Sequence, residues 1–379
     1  MSLTILQTPN LISPSFNNIH YLVESQYGDS ENFRYKYDIH TKDGIVNTKY
    51  VLPYPGKYGK IDISKMLIPY MSFDFNPTIS GSVSTNNSII QYDTYIGYSS
   101  IIYNKSSDET GRRYVINATD ENFNVDDFIM IGNGRFLTNT PKTINVYKND
   151  YYTLNYLNGN FGDYISYAAK LAVSQNGSVS YVNLSDYEFT PNSGLTSVGE
   201  MVKIVGVGPK NLNITSGDYS IWLTNSDNIR TSEVINFKIK EYSKYGYKQV
   251  AFLNRLGGFS YFTFIGKSYK ELSVERHNYL KNVYGLNNDS WTKDEKLGMI
   301  TNYDTKVETE YTFNSDYIDQ STFDFMEELF TSPMVYLIDD EPIQIIISDT
   351  DWFNKKKVYD KSISFSVKAI DANNKKVKL

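Results

Sequence analysis

Between residues 247 and 270, two runs of apolar β-formers flank Asn254-Arg255-Leu256-Gly257-Gly258, and apolar side chains fall on both faces of the pleat. Val250 and Phe252 share one face, Ala251 and Leu253 the other; beyond the turn, Phe259, Tyr261 and Thr263 alternate with Ser260, Phe262 and Phe264. This pattern predicts a hairpin that needs cover on two sides, with the glycine pair supplying the positive φ of a short connection. A second alternation, Phe33, Tyr35, Tyr37 and Ile39 against Arg34, Lys36, Asp38 and His40, predicts a half-buried strand, returned by residues 45–52 across the Asp43-Gly44 turn. Residues 306–313 alternate in the same way, whereas 276–284 fit a strand or a short helix.

One helical stripe stands out. Phe323, Met326, Leu329 and Phe330 share a face, Glu327 and Glu328 face water, Ser321 and Asp324 fit a capping box, and Pro333 is the stop. Ser64 would cap one or two further turns ending near Pro69. Residues 128–137, with Gly132 and Gly134 inside, read as a hairpin, and a further hairpin is expected where 334–338 and 343–348 flank Asp339-Asp340-Glu341-Pro342. The last strand spans 361–370, with Ile363, Phe365, Val367 and Ala369 inward.

The fold class that follows is mainly β, multi-domain, with β-sandwich (immunoglobulin-like) units and one or two short helices. The expected domains are an N-terminal β-rich domain over 1–162, an immunoglobulin-like sandwich over 163–241, and a C-terminal β-rich domain with one short helix over 242–379. The middle assignment rests on short strands at sandwich spacing, with Trp222 mid-strand as a core ring. No cysteine pair accompanies it.

Composition sharpens this picture at three points. The absence of cysteine among 379 residues excludes disulfide scaffolds and thiolate metal sites. No signal peptide or membrane span is expected, because the first residues lack a basic and apolar leader and no window approaches about 18 apolar residues. A net charge of -6 gives no global footprint for nucleic acid, although lysines outnumber aspartates from 349 to 379, where contact with an acidic partner surface competes with the plainer reading of a solvated edge strand. Aromatics reach 15%, led by 34 tyrosines, a usage that suits thin sandwiches and subunit interfaces, where a buried ring leaves its hydroxyl at a wet boundary.

Candidate chemistry is sparse. His20, His40 and His277 share no metal-ligand spacing, no nucleophile elbow is present, and Gly206-Val207-Gly208-Pro209 reads as a turn rather than a phosphate-binding loop. The acids at 339–341 and 349–351 are the places where a divalent cation or a hydrolytic carboxylate pair would have to sit; consecutive acids in a turn read as solvated. Trp222, Trp291 and Trp352 are the rings that could line a glycan groove, with core packing as the alternative.

The chain resembles virion structural proteins of tailed phages of Bacteroidetes, particularly the tail ring or tail hub type of crAss-like podoviruses. The resemblance is carried by Ser13 to Ile19 with Tyr21-Leu22-Val23-Glu24-Ser25, by Phe33-Arg34-Tyr35-Lys36-Tyr37-Asp38-Ile39, and by 53–67 with its Ile61-Asp62-Ile63-Ser64. It continues in Phe252-Leu253-Asn254-Arg255-Leu256-Gly257-Gly258-Phe259 and in Ser332-Pro333-Met334-Val335-Tyr336-Leu337, so it covers both ends and skips the middle. It implies a non-enzymatic ring or hub protein around the tail axis, connecting portal-proximal and distal tail parts. Its implied partners are copies of itself and other tail or portal-proximal proteins, with no nucleic-acid recognition, no catalytic residue, no metal and no cofactor. Its implied place is the virion tail, after assembly in the host cytoplasm. Arg255, Phe259, Tyr261, Phe264, Tyr336 and Trp352 are the candidate interface residues. A head or tail fibre adhesin for host surface polysaccharide, and a tail-associated glycan hydrolase using Asp340 or Asp351, are the competing expectations.

Overall fold

In a computed structural model the chain is mainly β, with 53% strand and 8% helix among the described residues. The residues described are 3–41, 44–73, 75–84, 88–100, 104–120, 122–130, 132–158, 170–184, 202–240, 243–282, 284–287, 289–293, 298–339, 341–348, 363–373 and 375–378. They form two compact units: Met1–Tyr242 with Leu253–Ser260, and Ser243–Phe252 with Tyr261–Leu379. The 247–270 hairpin is divided between them, its tip counted with the first unit and its stems with the second.

In the first unit, a five-stranded sheet runs in the order Ile12–Pro14, Asn104–Ile116, Ile89–Ser99, Arg34–Thr41, Gly44–Val51. The alternation at 33–39 decides its orientation: Tyr35, Tyr37 and Ile39 are fully buried. On the opposite face Asp38 accepts from Lys36 Nζ at 2.6 Å and from Thr48 Oγ1 at 2.7 Å, so that carboxylate is paired where it is dehydrated. A three-stranded sheet of Thr4–Gln7, His20–Glu24 and Tyr58–Asp62 shares one core with it, through Tyr21, Val23 and Ile61 packed with Tyr37, Tyr92 and Ile96. The helix at Ser64–Leu67 begins where expected, but its cap is not Ser64: Asp62 Oδ1 accepts from Ser64 N at 3.0 Å and from Ile19 N at 2.9 Å.

The rest of the first unit holds a five-stranded sheet ordered Thr143–Tyr147, Ile235–Lys240, Tyr219–Thr224, Lys170–Gln175, Ser178–Asn183, whose first pair is parallel. Beside it, Thr153–Leu157, Val202–Gly206 and Ser82–Ser84 form a three-stranded sheet. Strands on both sides of residue 162 therefore pair with one another. Tyr219, Ile221 and Leu223 point inward, with Tyr219 stacked on Phe237 at 4.9 Å. Trp222 has the opposite parity and is only half-buried, which corrects its expected place in the core. The expected hairpin at 128–137 is likewise absent: the described residues there make only isolated bridges, Ile129 to Leu157 and Gly134 to Ser232.

The second unit is built on an eight-stranded sheet in the order Phe259–Phe264, Lys248–Leu253, Val335–Ile338, Pro342–Ile347, Ser366–Asp371, Ile300–Asn314, Tyr269–Leu280, with Lys375–Lys378 also paired to Ile300–Asn314. Two short helices, Gln320–Phe325 and Glu327–Thr331, pack on it. Phe325, Met326 and Leu329 join Val250, Phe252, Phe264, Phe313 and Val367 in one core, and the Phe252 and Phe325 rings lie 5.5 Å apart. The expected stripe is thus real, but the cap is Asp319, whose side chain accepts from Thr322 N at 2.7 Å, rather than Ser321. Because the helix breaks at Met326, its phase shifts, and Glu328 is buried rather than facing water.

Candidate functional site

Most of Tyr269–Leu280 and the distal part of Ile300–Asn314 leave the body of the sheet as an arm. The two strands pair antiparallel from Tyr269↔Thr312 to Leu280↔Ile300, with a bulge between His277 and Asn278. A 12-residue strand spans about 40 Å. A second hairpin, Tyr284–Asn287 with Ser290–Lys293, follows within the same excursion. Beyond the stretch paired with Lys375–Lys378, at Asp304 to Val307, the arm is two strands wide among the described residues.

The parity of the strands sorts the side chains. Leu272, Val274, Leu280 and Ile300 lie on one face with Val307, interspersed with Lys270 and Arg276; Glu271, Glu275, Glu308 and Glu310 lie on the other with His277 and Lys306. Leu272 is 64% exposed, Ile300 67%, Leu280 75%, and Trp291 in the second hairpin 69%. Isolated singly, such residues would mean little; here they recur along one excursion that, among the described residues, has no buried core of its own. An isolated two-stranded ribbon is marginal in water.

The residues expected at an interface lie outside this stretch. Phe259, Tyr261 and Phe264 are buried, Phe259 against Phe75 with centroids 4.6 Å apart and Phe264 against Phe313 at 5.5 Å. They are core, because the hairpin finds cover on both faces within its own chain. Arg255 is exposed at the hairpin tip, and its carbonyl accepts from Thr119 N at 2.8 Å. Tyr336 is half-buried, which pushes its hydroxyl pKa up. Trp352 lies outside the described residues.

The tip itself is organised by Asn254. Its Oδ1 accepts from Leu256 N at 2.9 Å and Gly258 N at 3.0 Å, while Nδ2 donates to Leu137 O at 2.9 Å and Ser260 Oγ at 3.0 Å. Gly257 has φ +85, and a Cβ there would sit 2.4 Å from Asn117 O. The glycine was legible from the turn; the close approach that makes it obligatory was not.

Asp339 pairs with Lys248 Nζ at 3.3 Å, Glu341 is exposed, and Asp340, Asp349 and Asp351 lie outside the described residues. Among the described residues no group of three or more His, Cys, Asp or Glu side chains is placed to hold a metal ion, and no helix is long and apolar enough to cross a membrane. A polar cleft of about 600 Å³ in the first unit is lined by Asp126, Asp127, Arg135, Lys142 and Glu233, among others. Glu233 Oε1 accepts from Phe136 N at 3.1 Å there, and Arg135 lies over the Phe128 ring at 5.4 Å.

Sequence reasoning missed the arm. Its signal was the unbroken alternation of Lys270, Leu272, Val274 and Arg276 with Glu271, Ser273, Glu275 and His277, which has the period of a strand but no apolar face strong enough to exclude a helix.

No family model matches the chain, and no curated protein matches it. Among solved structures, one described as "Crystal structure of Dpr2 Ig1-Ig2 in complex with DIP-Theta Ig1-Ig3" aligns with 64% of this chain and 100% of that chain, at 7% identity and a TM-score of 0.16. A likeness of that size carries no argument about fold or function.

Proposed function

We propose that this chain is a non-enzymatic structural subunit that assembles with copies of itself, and that the assembly is a ring or hub around the axis of a bacteriophage tail. The observation that carries the assembly reading is the set of exposed apolar side chains Leu272, Leu280 and Ile300 along one side of the arm, with Trp291 in the hairpin that follows. The tail context is supported by the resemblance at the two ends of the chain, including Phe252 to Phe259 and Ser332 to Leu337. Rings need heterologous contacts whose rotation closes, so one surface of a copy would meet a different surface of the next.

The test is the mass and shape of the purified chain. Light scattering is expected to give a multimer, and electron cryomicroscopy of it, or of virions, a closed ring around a central axis. A monomer at all concentrations, or placement on isolated surface fibres, overturns the reading. The polar cleft at Asp126 and Glu233 favours a second reading, an adhesin for host surface polysaccharide. Saturable glycan binding lost on Glu233→Gln, by a chain that stays monomeric, would establish that reading instead.

A further inference from the structure

We propose that the outer strand Tyr269–Leu280 pairs antiparallel with the same strand of a second copy, about a twofold axis at Val274. The proposal rests on the assembly reading above and names its partner. This strand ends the strand order of its sheet, so among the described residues its outer edge meets no further strand. An unpaired edge of this length is a template for strand addition.

The charges select the partner and the register. With Val274 facing Val274, Glu271 faces His277 of the second copy and Tyr269 faces Tyr279, so acid meets a hydrogen-bond donor and ring meets ring. Moving the axis to Ser273 opposes Glu271 with Glu275 and Lys270 with Arg276; moving it to Glu275 opposes that acid with itself. Like charges directly opposite are destabilising, which leaves the Val274 register favoured over both neighbours. A second observation points the same way: within one chain Glu271 stands directly opposite Glu310, a pairing that weakens the arm and that a donor from another copy would relieve. A twofold contact closes after two copies, so a ring would use a further surface.

The chain has no cysteine, so an introduced one reports cleanly. Directly opposed strand residues have Cα atoms about 4.5–5.5 Å apart, within disulfide reach. Under mild oxidation, Val274→Cys is expected to form a covalent dimer, Glu271→Cys alone is not, and a mixture of Glu271→Cys and His277→Cys proteins is. Glu271→Lys is expected to weaken the dimer about tenfold, since the axis doubles each contact, while leaving the chain at least as stable; adding His277→Glu restores it. A covalent dimer of the Glu271→Cys protein alone, or none of the Val274→Cys protein, overturns the register. If the unmodified chain is still a multimer by light scattering, the assembly reading survives that result; if it is monomeric throughout, both fall.

Discussion

Tyr21, Tyr35, Tyr37, Tyr92, Tyr114, Tyr152 and Tyr156 are all closed off from water, so much of the tyrosine usage fills the core of the first unit rather than sitting at wet boundaries. Dehydration disfavours the phenolate. Burial pushes the Tyr35 hydroxyl up to about 12, and raises Tyr37, Tyr156 and Tyr219 further, with the charge of Asp150 adding to the effect at Tyr219. A folded-state pKa above the unfolded value of about 10 means stability that is intact below that pH and lost as pH rises through the folded value. Stability is therefore expected to fall above about pH 10, with tyrosinate absorbance of these rings emerging together with unfolding rather than before it. At Gly257 two costs combine, because φ is +85 and a Cβ would meet Asn117 O at 2.4 Å, whereas Gly44 has φ +104 and nothing within 4 Å. Gly44→Ala is expected to cost about 1 kcal/mol in denaturant unfolding and Gly257→Ala about 3 kcal/mol or more, the difference isolating the clash.

At the scale of elements, the helix at Gln320–Phe325 tests how well local rules were read. Burial works against the Asp319 carboxylate, but hydrogen bonds from Thr322 and Ser321 outweigh it and hold its pKa below the usual range. Its contribution is present above the unfolded carboxylate pKa of about 4 and is lost as pH falls through the lower folded value. Asp319→Ala is expected to cost about 1 kcal/mol at neutral pH, with the gap to the parent closing in acid. The stripe was legible because Phe323, Met326 and Leu329 recur at helical spacing; the cap was not, because Asp319 and Ser321 both satisfy the local rule and only the turn geometry chooses. The arm gives a contrasting expectation. Its amides lie in an exposed ribbon, so in the monomer they should exchange hydrogen far faster than those of Lys248–Leu253, whose residues from Gln249 onward are buried. Assembly should slow exchange at Tyr269–Leu280 in particular, and unchanged exchange there would count against the arm as the contact.

For the whole molecule, the proposed assembly through the arm predicts a separation of stability from assembly. Leu272→Lys with Ile300→Lys alters two side chains that face water in the single chain, so unfolding free energy should move by no more than about 0.5 kcal/mol while the multimer dissociates. A loss of stability on that scale or larger, with the multimer intact, would mean the arm is covered by its own chain.

Residues 33–39 show what sequence alone determined: a period of two with aromatic inward positions specifies a strand and its buried face, because a slip of one residue would expose every ring, whereas at 247–264 apolar residues on both faces specify strands that are covered on two sides. Cysteine-free chemistry and the mainly β class were equally local properties. The tertiary structure decided what those rings touch. Phe259, Tyr261 and Phe264 could have served an interface or a core, and all three are buried, Phe264 in one core with Phe325 and Leu329 and Phe259 against Phe75. The 269–314 arm became the exposed surface for the same reason: exposure is a property of which strands find neighbours, and no alternation within one strand encodes that.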